Sequence, residues 1–206
     1  MHNFNTYLAQ GIGSLPSSLV SAVLILISIL ALTVALERGY ILFRANVPIN
    51  PDEARQLIAM IAAKKYDEAR DFCSGKLHPG YRAVQRIIEG RSLHPDLIGF
   101  AREAILHEQT MLERFTSFLG TTTTLAPMLG LLGTVTGMIK AFSAFAQAAQ
   151  RSQQLTIGIH EALITTTLGL MIAIPSLVFF NYYVKRTNQL MDECELLVDR
   201  AMKELA

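Results

Sequence analysis

Two stretches decide the reading of this chain: FTSFLGTTTTLAPMLGLLGTVTGMI (Phe115–Ile139) and ALITTTLGLMIAIPSLVFFNYYV (Ala162–Val184). The first carries no charged residue for 25 positions and the second none for 23. Each is long enough to cross a bilayer as a helix, which needs ~20 apolar residues. Small residues recur along both at helical spacing: Ala126, Gly130, Gly133, Gly137, Ala141, Ala144 and Ala148 in one, and Ala162, Thr165 or Thr166, Gly169, Ala173 and Ser176 in the other. Such stripes let helix backbones approach closely, so that dispersion and interhelical hydrogen bonds hold the helices together in lipid. These faces therefore look toward protein, and Gly130, Gly133, Gly137, Gly169 and Ala173 read as packing positions.

Outside this pair the charge is distributed unevenly. Of 206 residues 51% are hydrophobic and 17% charged, in blocks between apolar runs, which describes an integral membrane protein rather than a soluble enzyme. A net charge of +1 gives no basic excess for nucleic acid. Met1–Leu36 hold no Lys or Arg, Glu37–Phe118 hold twelve, and the tail from Lys185 holds four. By the positive-inside rule the middle segment and the tail are cytoplasmic and the N-terminus lies outside. The run Leu19–Leu36 lacks the basic lead of a cleaved signal peptide, with Arg38 and Arg44 following it instead, so it reads as an uncleaved first span facing lipid. The expected layout is a periplasmic lead (1–18), a first transmembrane helix (19–43), a cytoplasmic helical domain (44–114), a second span (115–148), a periplasmic loop (149–157), a third span (158–184) and a cytoplasmic C-terminal helix (185–206). The fold class is an all-α membrane protein with three spans.

In the middle segment Asn50, Pro51 and Glu53 form a helix start, and helices are expected over Pro51–Ala63 and Tyr66–Cys73. Gly75, Pro79 and Gly80 read as breakers, with a helix from Tyr81 to about Ile88. His94-Pro95-Asp96 then opens a longer helix whose apolar period through Leu119 predicts an unbroken run into the second span. In the tail, Leu190, Cys194, Leu197, Ala201 and Leu205 form one apolar stripe, read as packing between subunits or against the Ile98–Leu119 helix. There is no phosphate-binding loop, and Cys73 and Cys194 match no metal spacing, so neither nucleotide, metal nor other cofactor is expected.

The chemistry is sparse. Glu161 is the only acid between Glu113 and Asp192. In an antiparallel hairpin Lys140 and Glu161 would share one level near the outer surface, with Thr134 and Thr166 level with each other roughly 8 to 9 Å deeper, at ~1.5 Å per residue. Hydroxyls there suit a narrow polar path, since they bind water or a carboxylic acid without a buried charge. Two readings of Glu161 stay open, a pathway acid and a helix-terminal acid paired with Lys140. Threonines in membrane helices commonly bond back to a carbonyl one turn earlier, and Thr121–Thr124 read that way. Pro127 and Pro175 read as kinks. His160-Glu161 is not a metalloprotease motif, because Ile164 stands where the second His is required.

LAPMLGLLGTVTGMIKAF (Leu125–Phe142) followed by GIHEALITTTLGLMIAIP (Gly158–Pro175) resembles the paired signature of the ExbB/TolQ/MotA proton-channel family, nearest its ExbB and TolQ branch. Thr136 stands where tryptophan is common in that branch, and Thr165 and Thr167 add hydroxyls where alanine is common. The resemblance implies that Thr134 and Thr166 line a pore, with Glu161 as its acid and Thr165 adding a hydroxyl. It also implies a ring, a pentamer, of this chain around an ExbD- or TolR-like partner whose single span bears an aspartate. The chain's own spans offer only hydroxyls at mid-depth, so the acid that carries protons must come from such a partner. The expected function is a motor subunit of the bacterial inner membrane that spends the proton gradient through a TonB-like protein, with a TolQ-like or other stator role, or a passive scaffold, as the alternatives.

Overall fold

A computed structural model describes residues 17–45, 47–147 and 152–205. Among these every regular element is a helix: α1 Ser17–Ala45, α2 Pro51–Ala62, α3 Tyr66–Cys73, α4 Pro79–Gly90, α5 Leu97–Glu113, α6 Thr116–Gln147 and α7 Ser152–Leu205. Three are long and apolar enough to cross a membrane, within Leu19–Ala45, Thr116–Phe142 and Thr156–Leu205. The expected periplasmic lead falls almost wholly outside the described residues, as do residue 148 of the expected second span and residues 149–151 of the expected outer loop. The rest of that loop, from Ser152, is already helix. The chain divides into an apolar unit, residues 17–35 with Ser117–Phe180, and a charged unit, Leu36–Thr116 with Asn181–205.

In the apolar unit α1 does more than face lipid. Val20 and Leu24, at 3% and 0% exposure, pack with Ala126 and Ala173 and against Leu129, Leu168 and Ile172. Their four-residue spacing gives α1 a protein-facing side, while Ile25, Leu26, Ile29 and Leu32 remain exposed on the rest of it. Pro127 and Pro175 lie inside α6 and α7, which continue as helix through both.

The charged unit is built on caps and buried ion pairs. The Asn50 side chain accepts from Asp52 N, with Pro51 at the first helical position of α2. Pro79 and Gly80, expected as breakers, instead open α4: His78 is its N-cap, Nδ1 accepting from Gly80 N at 3.0 Å. Proline tolerates that position because its missing N–H would have had no helical partner. The His78 ring, 1% exposed, meets Glu193 Oε2 of α7 through Nε2 at 3.1 Å. Burial holds the imidazole below its usual pKa, against the pull of Glu193. Glu108 of α5, its side chain 8% exposed, pairs with Arg82 of α4 at 2.5 Å. Cys73 and Cys194 are buried free thiols, both pushed up to about 12 by loss of water.

The expected unbroken helix into the second span is not there. α5 stops at Glu113, and Phe115 takes a left-handed φ of 62° before α6 begins at Thr116. No glycine or proline marks the place in the sequence. The local pattern favours a continuous helix, yet the backbone leaves it at Arg114 and Phe115.

Candidate functional site

The threonines are carried by an antiparallel pair, α6 and α7, whose seam is made of backbone. Gly130 lies so close to α7 that a Cβ there would sit 3.0 Å from the Thr165 carbonyl oxygen and 3.0 Å from Thr166 Cα. A Cβ on Gly169 would come within 2.5 Å of the Ala126 carbonyl oxygen and 3.2 Å of Gly130 Cα. Farther along, Gly137 meets Ala162, and Gly158 meets Ala141. Each glycine is therefore a site where one main chain touches another, the arrangement that membrane helices use in place of a hydrophobic drive. Ala173 is buried with Val20 and Leu24 of α1 as well as with Ala126. The side chains of Ala144 and Ala148, expected in the same stripe, lie outside the described residues.

The register differs from the expected one. Thr166 stands opposite Gly130, its hydroxyl donating to the Gly130 carbonyl at 3.2 Å. Thr134 is four positions along α6 from that carbonyl, so the two threonines lie about one turn, ~6 Å, apart in depth instead of level. Both are half-buried in the single chain. Thr134 donates back to the Leu131 carbonyl at 2.7 Å. Thr121 to Thr124 also bond back, to Ser117, Phe118, Gly120 and Thr121.

Thr165, expected on the proton path, is 2% exposed and sits inside the seam. Its hydroxyl donates to the Ala162 carbonyl at 2.7 Å, and its side chain fills the notch at Gly133, where an added Cβ would lie 2.5 Å from Oγ1. Thr136 is fully buried as well, bonded to the Leu132 and Gly133 carbonyls at 3.0 and 3.1 Å. The sequence put Thr165 or Thr166 on the protein-facing stripe, but a run of three threonines does not say which of them faces the neighbouring helix. The signal available was the stripe itself: Thr165 is three residues after Ala162 and four before Gly169, on the small-residue face. Glu161 is exposed beside Ala162, at the start of the seam, and Lys140 is half-buried.

Chemically, both candidate hydroxyls have committed their protons. A threonine oxygen whose hydrogen goes to a backbone carbonyl offers outward only lone pairs. Such a surface accepts a hydrogen bond from a protonated carboxyl group or from water, and gives nothing to a carboxylate.

Comparison with known proteins follows the same lines. The model of the MotA/TolQ/ExbB proton channel family matches residues 81–196. The chain is 35% identical over 178 residues to the ExbB-like 1 biopolymer transport protein of Synechocystis sp., covering 82% of this chain and 68% of that one. It is 30% identical over 190 residues to the Tol-Pal system protein TolQ of Pseudomonas aeruginosa, covering 86% and 82%. To the biopolymer transport protein ExbB of Xanthomonas campestris it is 38% identical over 85 residues, covering 41% and 34%. The helix pair with its glycine seam falls within the matched region, and the chain belongs to the MotA/TolQ/ExbB proton channel family.

Proposed function

We propose that this chain is the ring-forming subunit of a proton-driven motor in the bacterial inner membrane, N-terminus periplasmic and charged unit cytoplasmic, working with an ExbD- or TolR-like single-span partner. One observation carries the reading: between Arg114 and Lys140, and between Glu161 and Lys185, the chain has hydroxyls and no carboxyl, amino, guanidino or imidazole group. A proton crossing that depth needs a group that can hold it part-way, and the partner's membrane aspartate supplies it. Glu161 lies at the entry, and Thr134 and Thr166 face the bore of a pentameric ring, while Thr165 keeps the seam closed.

The committed hydroxyls set a preference. With their protons on the Leu131 and Gly130 carbonyls, Thr134 and Thr166 present acceptors, which bind the neutral, protonated aspartate and leave the charged one without a donor. Loading and unloading the proton then changes the affinity of the partner helix for the ring at each step. The gradient provides ~2.3 kcal/mol per charge per 100 mV to drive the cycle. Through a TonB-like protein that work reaches the outer membrane and energises transport there.

A TolQ-like role in maintaining the envelope is the second reading. It is supported by the chain-long likeness to TolQ, which covers 82% of that protein, as the first reading is by the likeness to the ExbB-like 1 protein, which covers 68% of that one. Deleting the gene separates them: loss of TonB-dependent uptake marks the first, and leakage of periplasmic contents with detergent sensitivity marks the second. For the pore itself the test is Thr134→Val and Thr166→Val, which keep shape and remove the acceptor. Proton-driven activity in cells carrying the partner is expected to fall at least tenfold in each, and unchanged activity in both would overturn the assignment.

A further inference from the structure

Arg38 is an arginine with nowhere to be solvated. Its side chain is 2% exposed, in the last part of α1, a position that charge counting assigns to a membrane flank. A buried guanidinium is tolerated only where its charge and most of its N–H groups are matched, and here both terminal nitrogens are matched while Nε is buried without a partner. Nη1 donates to the Met111 carbonyl at 3.2 Å and to the Leu112 carbonyl at 3.4 Å, and Nη2 reaches Glu37 at 3.3 Å.

The identity of those two carbonyls is the point. In an unbroken helix Met111 and Leu112 would accept from the N–H groups of Phe115 and Thr116, four residues on. Those are the residues at which the helix breaks. Arg38 thus stands in for the two backbone donors that the break removes, and its charge sits at the negative end of the α5 dipole. Phe115, which must hold a left-handed φ of 62° without being glycine, has the Arg38 guanidinium 5.7 Å from its ring centre and that of Arg114 at 4.8 Å. A left-handed non-glycine residue persists only where its surroundings over-determine it.

We infer that Arg38 is a positioning residue that holds the helix broken at Arg114–Phe115, and so fixes where the threonine-bearing helix α6 begins. Without it the sequence would run α5 into α6 as one helix. The holding of the break stands by itself; its bearing on proton conduction rests on the function proposed above.

The test is hydrogen exchange on the full-length chain co-purified with its partner. The first N–H groups of α6, Thr116 to Leu119, have no intrahelical acceptor in the broken state. Arg38→Met, which removes every donor, is expected to slow exchange of those amides at least tenfold as the helices fuse. A merely structural arginine would do the reverse and speed exchange throughout Leu97–Leu119, and that result, or no change, would overturn the inference. Adding Phe115→Gly to Arg38→Met is expected to restore the wild-type exchange, because glycine takes a positive φ unaided. Should Arg38→Met fail to accumulate, Arg38→Lys, one ammonium for two carbonyls, is expected to give intermediate slowing, and faster exchange in it would refute the proposal equally. Proton-driven activity is read in parallel. Exchange that follows the prediction while activity stays at wild type in Arg38→Met sinks the link to conduction and leaves the break assigned.

Discussion

The two units of this protein bury polar groups in opposite ways. In the apolar unit the seam of α6 and α7 holds threonines that each satisfy themselves on a carbonyl of their own or the facing helix, with glycines bringing the backbones together. In the charged unit the interior admits Arg38, Glu108 and His78, each matched across elements. The difference follows from the solvent. In lipid an unmatched charge is hard to stabilise and apolar surface gains nothing by burial, so contact is made with small residues and local hydrogen bonds. Outside lipid the hydrophobic effect gives the unit Leu57, Ile61, Val84, Ile87 and Ile88 as a core. A few buried charges can then be carried.

The sharpest test of the contrast is steric. Gly169→Leu drives a side chain into the Ala126 and Gly130 backbones, which have no rotamer to give, so the seam must open. Overpacking commonly costs ~1–3 kcal/mol, and backbone contact puts this site at or above the top of that range. Thermal unfolding in detergent, and loss of the proposed ring on native gels, would register it. A Gly169→Leu chain as stable as wild type would mean that the seam is not closed in the assembled protein.

Next in size is the buried pair. Arg82→Met leaves the Glu108 carboxylate uncompensated at 8% exposure. Removing one partner of a fully buried pair costs ~3–5 kcal/mol, but the Arg82 side chain is 42% exposed and water screens the site, so about 2 kcal/mol is expected. Adding Glu108→Leu should recover most of it, measured as Tm. Failure to recover would show that the pair specifies more than its own neutrality.

A smaller effect tests His78. Its neighbours in charge are Glu193 and Arg186 on α7 and Arg82 on α4. Since burial lowers its pKa, the folded chain takes the proton less readily than the unfolded one. The stability it contributes is therefore present above the unfolded value of ~6.5 and is lost as pH falls below it. Protonation also places a hydrogen on Nδ1, which then cannot accept from Gly80 N. His78→Asn keeps a capping acceptor without titrating, so its Tm should decline less than wild type on acidification, by no more than ~1.4 kcal/mol per pH unit. Parallel declines would exclude His78 as the group responsible. Smallest of all, Lys203→Ala removes an exposed i,i+4 pair with Asp199 and should change stability by under ~0.5 kcal/mol.

Much of this architecture is legible in the sequence. Length without charge marked the spans, the glycine spacing marked the faces that meet, and Asn50-Pro51 marked the start of α2, because each is a local rule with a local cause. What could not be read were the places where distant residues decide. Phe115 sits in a sequence with good helical period, and only Arg38, 77 positions earlier, makes the break. Arg38 in turn looked like any cation flanking a span. Pro79 and Gly80 signalled an interruption correctly in kind, but the partner that turns them into a helix start is the His78 ring. At the candidate site the threonine pair is proposed from family likeness, while the one-turn offset between Thr134 and Thr166 depends on the close approach at Gly130 and Gly169, which spacing alone leaves free.

The two native cysteines have a practical consequence. Cys73 and Cys194 are buried, and with pKa values near 12 they remain protonated at any pH used for labelling. Thiolate is the reactive form, so maleimides should pass them by. A single cysteine introduced at an exposed position of the charged unit such as Ser92 can then carry a fluorophore or spin probe against a silent background, with neither native cysteine replaced.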